Sequence, residues 1–186
     1  MGYVVDTIRG EVVILAGNLD AGLAAVRDMD REDDLKTGWS KVEDADGTVR
    51  RRPHWAYTDP YAIESAQTLE DMLRAFRYEV WAEESDGEIY GVHFKGWSMG
   101  NDYDLWRTLA PFIEAGSYIV WLGEDDRLER WSFDGQTMTC TPGRMVFDDN
   151  EGTNSDDWRP FAGEGNLAGR LAARMGDAER VRRRRR

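Results

Sequence analysis

The residues best placed to do chemistry are carboxylates. Glu124, Asp125 and Asp126 follow directly on the apolar run Tyr118 to Gly123, so three acids stand where a strand would enter a turn. The stretch YEVWAEESD, Tyr78 to Asp86, repeats the arrangement and puts Glu83, Glu84 and Asp86 in the matching place. Oxygen donors gathered in this way suit a hard cation such as Mg²⁺ or Ca²⁺. The residue spacing of a calcium loop is missing, and acids in turns are ordinarily solvated, so no metal site is expected. A carboxylate pair for glycoside cleavage would have to stand about 5 to 9 Å apart, a relation that sequence alone does not fix.

Other reactive side chains are few. His54 and His93 are the only imidazoles, and neither falls in a metal-ligand spacing. His93 reads as a strand residue and His54 as a loop residue. Ser117 in AGSYI lacks the G-x-S-x-G elbow of a hydrolase, and the glycines of GEGNLAG follow no strand and sit among acids, which is wrong for a phosphate loop. The single Cys140 has no partner for a disulfide or a zinc site and reads as a small apolar residue at a strand end. No catalytic residue and no cofactor is expected.

Charge is the stronger signal. Six of the 24 basic residues are Arg180, Arg182, Arg183, Arg184, Arg185 and Arg186, so the preceding chain carries 18 basic against 36 acidic groups, a net of −18 where the whole has −12. Acids concentrate at Asp28, Asp30, Glu32, Asp33 and Asp34, at Glu83 to Glu88, and at Asp148 to Asp157. Such a body repels nucleic acid and anionic membranes and favours a basic protein partner, while the arginine tail suits nucleic acid or an acidic surface. With 41% hydrophobic residues over 186 positions the chain can bury a core. No apolar run reaches the roughly 20 residues of a membrane span, and the N-terminus resembles neither a signal peptide nor a myristoylation site. A cytoplasmic protein is expected.

The elements that must hold these residues read as α+β: an antiparallel sheet of tandem helix–hairpin units with helices on one face, followed by a helical tail. Tyr78, Val80, Trp81 and Glu84 align with Tyr118, Val120, Trp121 and Glu124, and each stretch follows a helical pattern. The first has Leu69, Met72, Leu73 and Phe76 behind a Thr68–Asp71 capping box. The second has Leu105, Trp106, Leu109, Phe112 and Ile113, with Asn101 or Asp102 as cap and Gly116 as stop. A weaker third unit would put Leu19, Leu23, Val26 and Met29 on a helix capped by Asn18 and make Trp39 equivalent to Trp81 and Trp121. The units would span 18–57, 68–96 and 102–135, with hairpins at the Asp-Gly pairs 46, 86 and 134, where glycine supplies the positive φ of a tight turn. Tight turning pairs Trp131 with Met138; at Asp86-Gly87 it sets Trp81 against Val92, unless a bulge moves the register. The run Tyr3 to Leu15 gives one bent strand or two broken at Gly10, and Asp59-Pro60 opens a helix. The domain should occupy 1–147, an acidic linker 148–165, and a helix with the arginine tail 166–186. Trp81, Trp121 and Trp131 read as core, whereas Trp39, Trp55, Trp97, Trp106 and Trp158 lie near turns or element ends, where some of them can be exposed.

Ala110, Pro111, Gly116, Ser117, Tyr118, Ile119, Gly123, Glu124, Asp125, Trp131, Phe133 and Gly135 carry a resemblance. The stretch Phe94 to Gly135, about a quarter of the chain, resembles an uncharacterised family of small proteins from Gram-positive bacteria, plasmids and phages. Asp126 stands where that pattern has glycine, and residues 148–186 have no counterpart in it. The resemblance implies a mobile-element or actinobacterial setting and no activity. Three functions are compatible with the sequence. The first is an acidic, non-catalytic protein that binds a basic partner and imitates the phosphate charge of nucleic acid to block a host factor. The second is a nucleic-acid accessory or virion assembly protein acting through its arginine tail. The third is an enzyme built on Glu84, Glu124 or Asp125.

Overall fold

The computed structural model describes residues 4–144. The linker and helix expected after residue 147 lie outside the described residues, as do Trp158 and the tail arginines Arg180, Arg182, Arg183, Arg184, Arg185 and Arg186. Within the described part the fold is α+β, with every strand pair antiparallel.

Strand β1 (Val5–Glu11) leads through a 3-10 turn into α1 (Leu19–Met29). A two-stranded ribbon follows, β2 (Gly38–Glu43) with β3 (Val49–His54), then the short helices α2 (Pro60–Ser65) and α3 (Leu69–Ala75). A second ribbon joins β4 (Tyr78–Ala82) to β5 (Ile89–Phe94), and α4 (Asp102–Leu109) leads to β6 (Tyr118–Gly123), β7 (Leu128–Phe133) and β8 (Met138–Gly143). Strands β1, β6, β7 and β8 form one sheet in the order β1-β6-β7-β8, while the two ribbons remain separate.

Local chemistry explains most of these elements. Thr68 Oγ1 accepts from the Asp71 amide at 3.0 Å and Asp71 Oδ2 accepts from the Thr68 amide at 3.1 Å, so α3 starts with the expected capping box. Asp59 caps α2 by accepting from Tyr61 N, and Pro60 fills the first helical turn, where its missing N–H costs nothing. Asn18 precedes α1 without capping it: its side chain donates to the Phe112 carbonyl and ties α1 to the end of α4. Helix α4 stops sooner than its apolar spacing predicts. Pro111 cannot continue α-helical bonding, so Ala110–Phe112 tighten into a 3-10 turn and Ile113 is already extended.

All three Asp-Gly hairpins form, with Gly47, Gly87 and Gly135 at positive φ, but none keeps the register of a two-residue turn; at 46 the Asp44 amide bonds to the Thr48 carbonyl and Glu43 faces Val49. At 134 the connection is four residues long because Asp134 accepts from the amides of Gln136 and Thr137. This moves Met138 opposite Phe133 and Cys140 opposite Trp131, and the two-residue slide keeps every side chain on its face. At 86 a bulge between Trp81 and Ala82 pairs Val80 with Val92, so both valines point inward.

The aligned stretches do not superpose in burial. Tyr78 and Val80 are buried and Trp81 is 42% exposed, whereas in β6 it is Ile119 and Trp121 that are buried. The matching residues therefore face opposite sides of their ribbons, and Trp39, Trp81 and Trp121 are not equivalent: two are exposed and one is core. The helix–hairpin order recurs along the chain; the side-chain roles do not. Trp121 stacks in the interior with Trp131 (5.0 Å between centroids) and Phe94 (5.5 Å), and Trp106 meets Tyr78 edge-on at 5.2 Å.

Strand β1 holds the halves together. One edge pairs with β6, and its other side lies against β5, where the Phe94 amide donates to Thr7 Oγ1. Gly10 does not break the strand, which runs through it with a bulge between Thr7 and Arg9. A β-carbon at Gly10 would lie 2.4 Å from the Val92 carbonyl oxygen, so only glycine permits this backbone approach. Gly10→Ala is expected to cost about 2 kcal/mol or more in urea unfolding. Asp126 occupies the left-handed region at φ +60, the place where the resembling pattern has glycine. Asp126→Gly should raise stability by about 0.5 kcal/mol in the same measurement.

Candidate functional site

The sequence-predicted carboxylates are held at three separate places. Glu124, Asp125 and Asp126 form the β6–β7 turn, where the Glu124 amide donates to the Val4 carbonyl. Glu83, Glu84 and Asp86 form the β4–β5 turn, beside Leu19 and next to the Ile14–Ile89 bridge. Val4 and Ile14 flank opposite ends of β1, so the length of that strand, roughly 20 Å, divides the two turns. A shared cation site of Glu84 with Glu124 is therefore not assembled. Among the described residues no group of three or more His, Cys, Asp or Glu is gathered for a metal. The third group, Asp28 to Asp34, surrounds the C-terminal end of α1 and is partly neutralised: Asp28 pairs with Arg31, and both Asp30 and Asp33 pair with Lys36. Asp125 pairs with Arg127. Glu32, Asp34, Glu83, Glu84, Asp86, Glu124 and Asp126 make no ion pair with a described residue.

The remaining reactive groups are structural. Ser117 is buried and its Oγ accepts from the Val13 amide at 3.1 Å. His54 ends β3 with Nδ1 2.9 Å from the Trp55 carbonyl, and His93 lies in β5. Burial, then the charge of Glu129, pushes the Cys140 thiol up to about 11, far from the thiolate a nucleophile needs. A cleft of about 70 Å³ between the ribbon root and α2 is lined by Asp30, Lys36, Arg52, His54, Trp55 and Glu64. Its charges are already matched, Lys36 to Asp30 and Arg52 to Glu64, and it has room for a few waters.

Among the described residues, two exposed ribbon faces are each built around an indole. On the β4–β5 ribbon Trp81 packs against Gly91, whose added β-carbon would come 2.6 Å from the indole ring. The missing side chain is what lets the ring settle there, with Trp81 42% exposed and Glu83 and Glu84, which have no ion pair among the described residues, following in the chain.

On the β2–β3 ribbon Trp39 is 50% exposed, with the Arg51 guanidinium 4.2 Å from its centroid. Lys41 stands directly opposite Arg51, and neither forms an ion pair with a described residue. Arg50 and Arg52 project from the other face and are engaged by Asp44 and Glu64. Glu43 shares the Trp39 face but lies nearer the tip, opposite the exposed Val49, so the cationic part is the half towards the root. Neither edge of the ribbon is paired among the described residues. The Asp44 amide bonds to the Thr48 carbonyl, which makes Val42–Arg50 and Ser40–Arg52 the hydrogen-bonded pairs and turns the nitrogen of Pro53 to the outer edge of β3.

Comparison with family models, curated proteins and solved structures returns no match for this chain. None of the described helices is long and apolar enough to cross a membrane.

Reading the sequence for acids missed this ribbon face. The signal for it was the run Arg50 to Arg52 in a strand without apolar alternation, inside an otherwise acidic body. Of the tryptophans near turns and element ends, Trp39 and Trp97 are exposed, the latter by 84%, while Trp55 and Trp106 are fully buried.

A buried carboxylate fixes the ribbon root. Asp102 accepts from Tyr78 Oη at 2.8 Å and from the Gly100 amide at 2.8 Å, with Arg77 at 3.7 Å; Tyr78 Oη in turn accepts from Trp106 Nε1. The adjacent Asn101 bonds to Thr37 and to the Leu35 carbonyl, just before β2 begins. Burial raises the pKa of Asp102, a shift the Gly100 amide opposes, and burial with the Asp102 charge drives Tyr78 well above its usual range. Because the fold binds the Asp102 proton more tightly than the unfolded chain does, this group's contribution to stability falls as pH climbs from the ordinary carboxylate range through its folded value. Tyr78→Phe removes the donor to Asp102 Oδ1 and strands the Trp106 N–H. It should cost about 2 to 3 kcal/mol, read from the urea midpoint.

Proposed function

We propose that the protein is a non-catalytic interaction protein that docks through the root half of the β2–β3 ribbon onto an anionic, aromatic-bearing protein surface. The observation that carries this reading is the half-exposed Trp39, stacked by Arg51 and flanked by the unpaired Lys41, on a ribbon that no other described strand covers. Tryptophan and arginine are the side chains that dominate interface energetics, and here both are already ordered against each other, so little entropy is lost on contact. Two available cations suit a protein surface better than a nucleic acid, whose binding rests on neutralising many phosphates. Nucleic-acid binding through Arg180, Arg182, Arg183, Arg184, Arg185 and Arg186 stays a separate alternative, resting on sequence alone.

A second reading keeps the acidic side as the binding pole and takes a basic protein as partner. It is favoured by one observation, the exposed Trp81 followed in the chain by Glu83 and Glu84, which make no ion pair with a described residue.

Fluorescence anisotropy with a labelled poly-glutamate peptide tests the first reading. The wild-type chain should bind it in a salt-dependent way. Trp39→Ala, or Lys41→Gln with Arg51→Gln, should weaken binding about tenfold while the unfolding midpoint stays in place. Equal affinity in all three proteins removes the ribbon from the reading.

A further inference from the structure

The ribbon face and the acidic turn of this chain are complementary to each other. One offers Trp39 with Lys41 and Arg51, the other Trp81 with Glu83 and Glu84. Each has an indole that is about half exposed and packed against a neighbour: Arg51 covers one, and Gly91 lies against the other. The other ribbon arginines are engaged by Asp44 and Glu64, so among the described residues Lys41 and Arg51, with Glu43 nearer the tip, are the charges of this face without an ion pair.

A single molecule cannot close this contact on itself. The acidic turn sits at the start of α1, where Leu19 lies 3.5 Å from a β-carbon built on Gly87. The ribbon roots at the other end of that helix, where Trp55 Nε1 donates to Asp30. Eleven residues of helix, about 16 Å, keep the two apart.

We infer that the occupant of the ribbon face is a second copy of this chain, whose Trp81–Glu83–Glu84 face receives Trp39, Lys41 and Arg51. The inference rests on the ribbon being a docking element and names its partner. A contact between two different faces is heterologous: each copy keeps a free ribbon at one end and a free acidic turn at the other, so association continues into a ring or an open filament. The exposed ribbon gains cover it lacks alone, since an isolated two-stranded ribbon is marginally stable in water. Lys and Glu pairs at the rim set register and partner choice, and the indoles supply the buried area.

Sedimentation velocity of the full chain over a concentration series, at low and high salt, tests this. The wild type should associate with concentration and dissociate as salt rises. Lys41→Glu with Arg51→Glu should stay monomeric, as should Glu83→Lys with Glu84→Lys, because each now presents like charges at the contact. An equimolar mixture of these two proteins should associate again, since in an alternating chain every ribbon meets a turn of opposite sign. The protein carrying all four reversals should associate alone. Near-wild-type circular dichroism confirms folding, and rescue in the mixture excludes damage as the cause of either loss. The inference is overturned by a wild type that stays monomeric throughout, by association that either reversal leaves intact, or by a mixture that does not recover. If the poly-glutamate peptide binds through Trp39 while the chain stays monomeric, the docking reading stands and only the second copy is lost. If neither is seen, both fall.

Discussion

The close approach of β1 to β5 at Gly10 is the constraint on which the remaining architecture rests. One strand is asked to be a hydrogen-bonded member of a four-stranded sheet and, on its other side, a backbone surface against which a separate ribbon lies. A side chain at residue 10 would force the two apart. Because they touch, Phe94 and its ribbon partner Tyr78 both reach Trp121, and the aromatic interior becomes continuous between the ribbon and the sheet. The bulge at Thr7 and Arg9 belongs to the same solution, since it turns the Thr7 hydroxyl to meet the Phe94 amide.

A buried acid is costly unless every lone pair is used, and Asp102 shows what such expense can achieve. Its partners come from three places in the chain: Tyr78 in β4, Gly100 in the loop before α4, and Arg77 at the positive-φ corner between α3 and β4. An apolar residue would fill the space without choosing among neighbours. The carboxylate accepts donors from defined directions and so sets the angle at which α4 begins; Asn101, one residue earlier, passes that angle on to Thr37 and the ribbon. The orientation of an exposed face is in this way decided by a group that never meets solvent.

Much of the fold was legible in the sequence because it is written in short-range chemistry. The Thr68–Asp71 box, Asp59-Pro60 and the Asp-Gly pairs each act over a few residues, and each forms where expected. What the sequence concealed depends on distant neighbours. Trp81 and Trp121 sit in matching strings, yet one covers a glycine in solvent and the other fills the core; only the bulge and the strands alongside decide which face turns inward. Pro111 is the exception, a local signal outweighed in the reading by apolar spacing that continued past it. The charged stretches misled for a related reason. Counting acids along the chain suggests one anionic surface, while the fold places them at both ends of β1 and at the end of α1, and leaves the least conspicuous basic strand as a distinct pole.

Pro53 gives the ribbon a direction. With no N–H to offer on the outer side of β3, and with three consecutive arginines along that strand, this border resists being extended by another strand. The chain can thus display a bare, aromatic hairpin without inviting templated fibril growth along that margin, so any encounter that lasts must be made through its face or along β2.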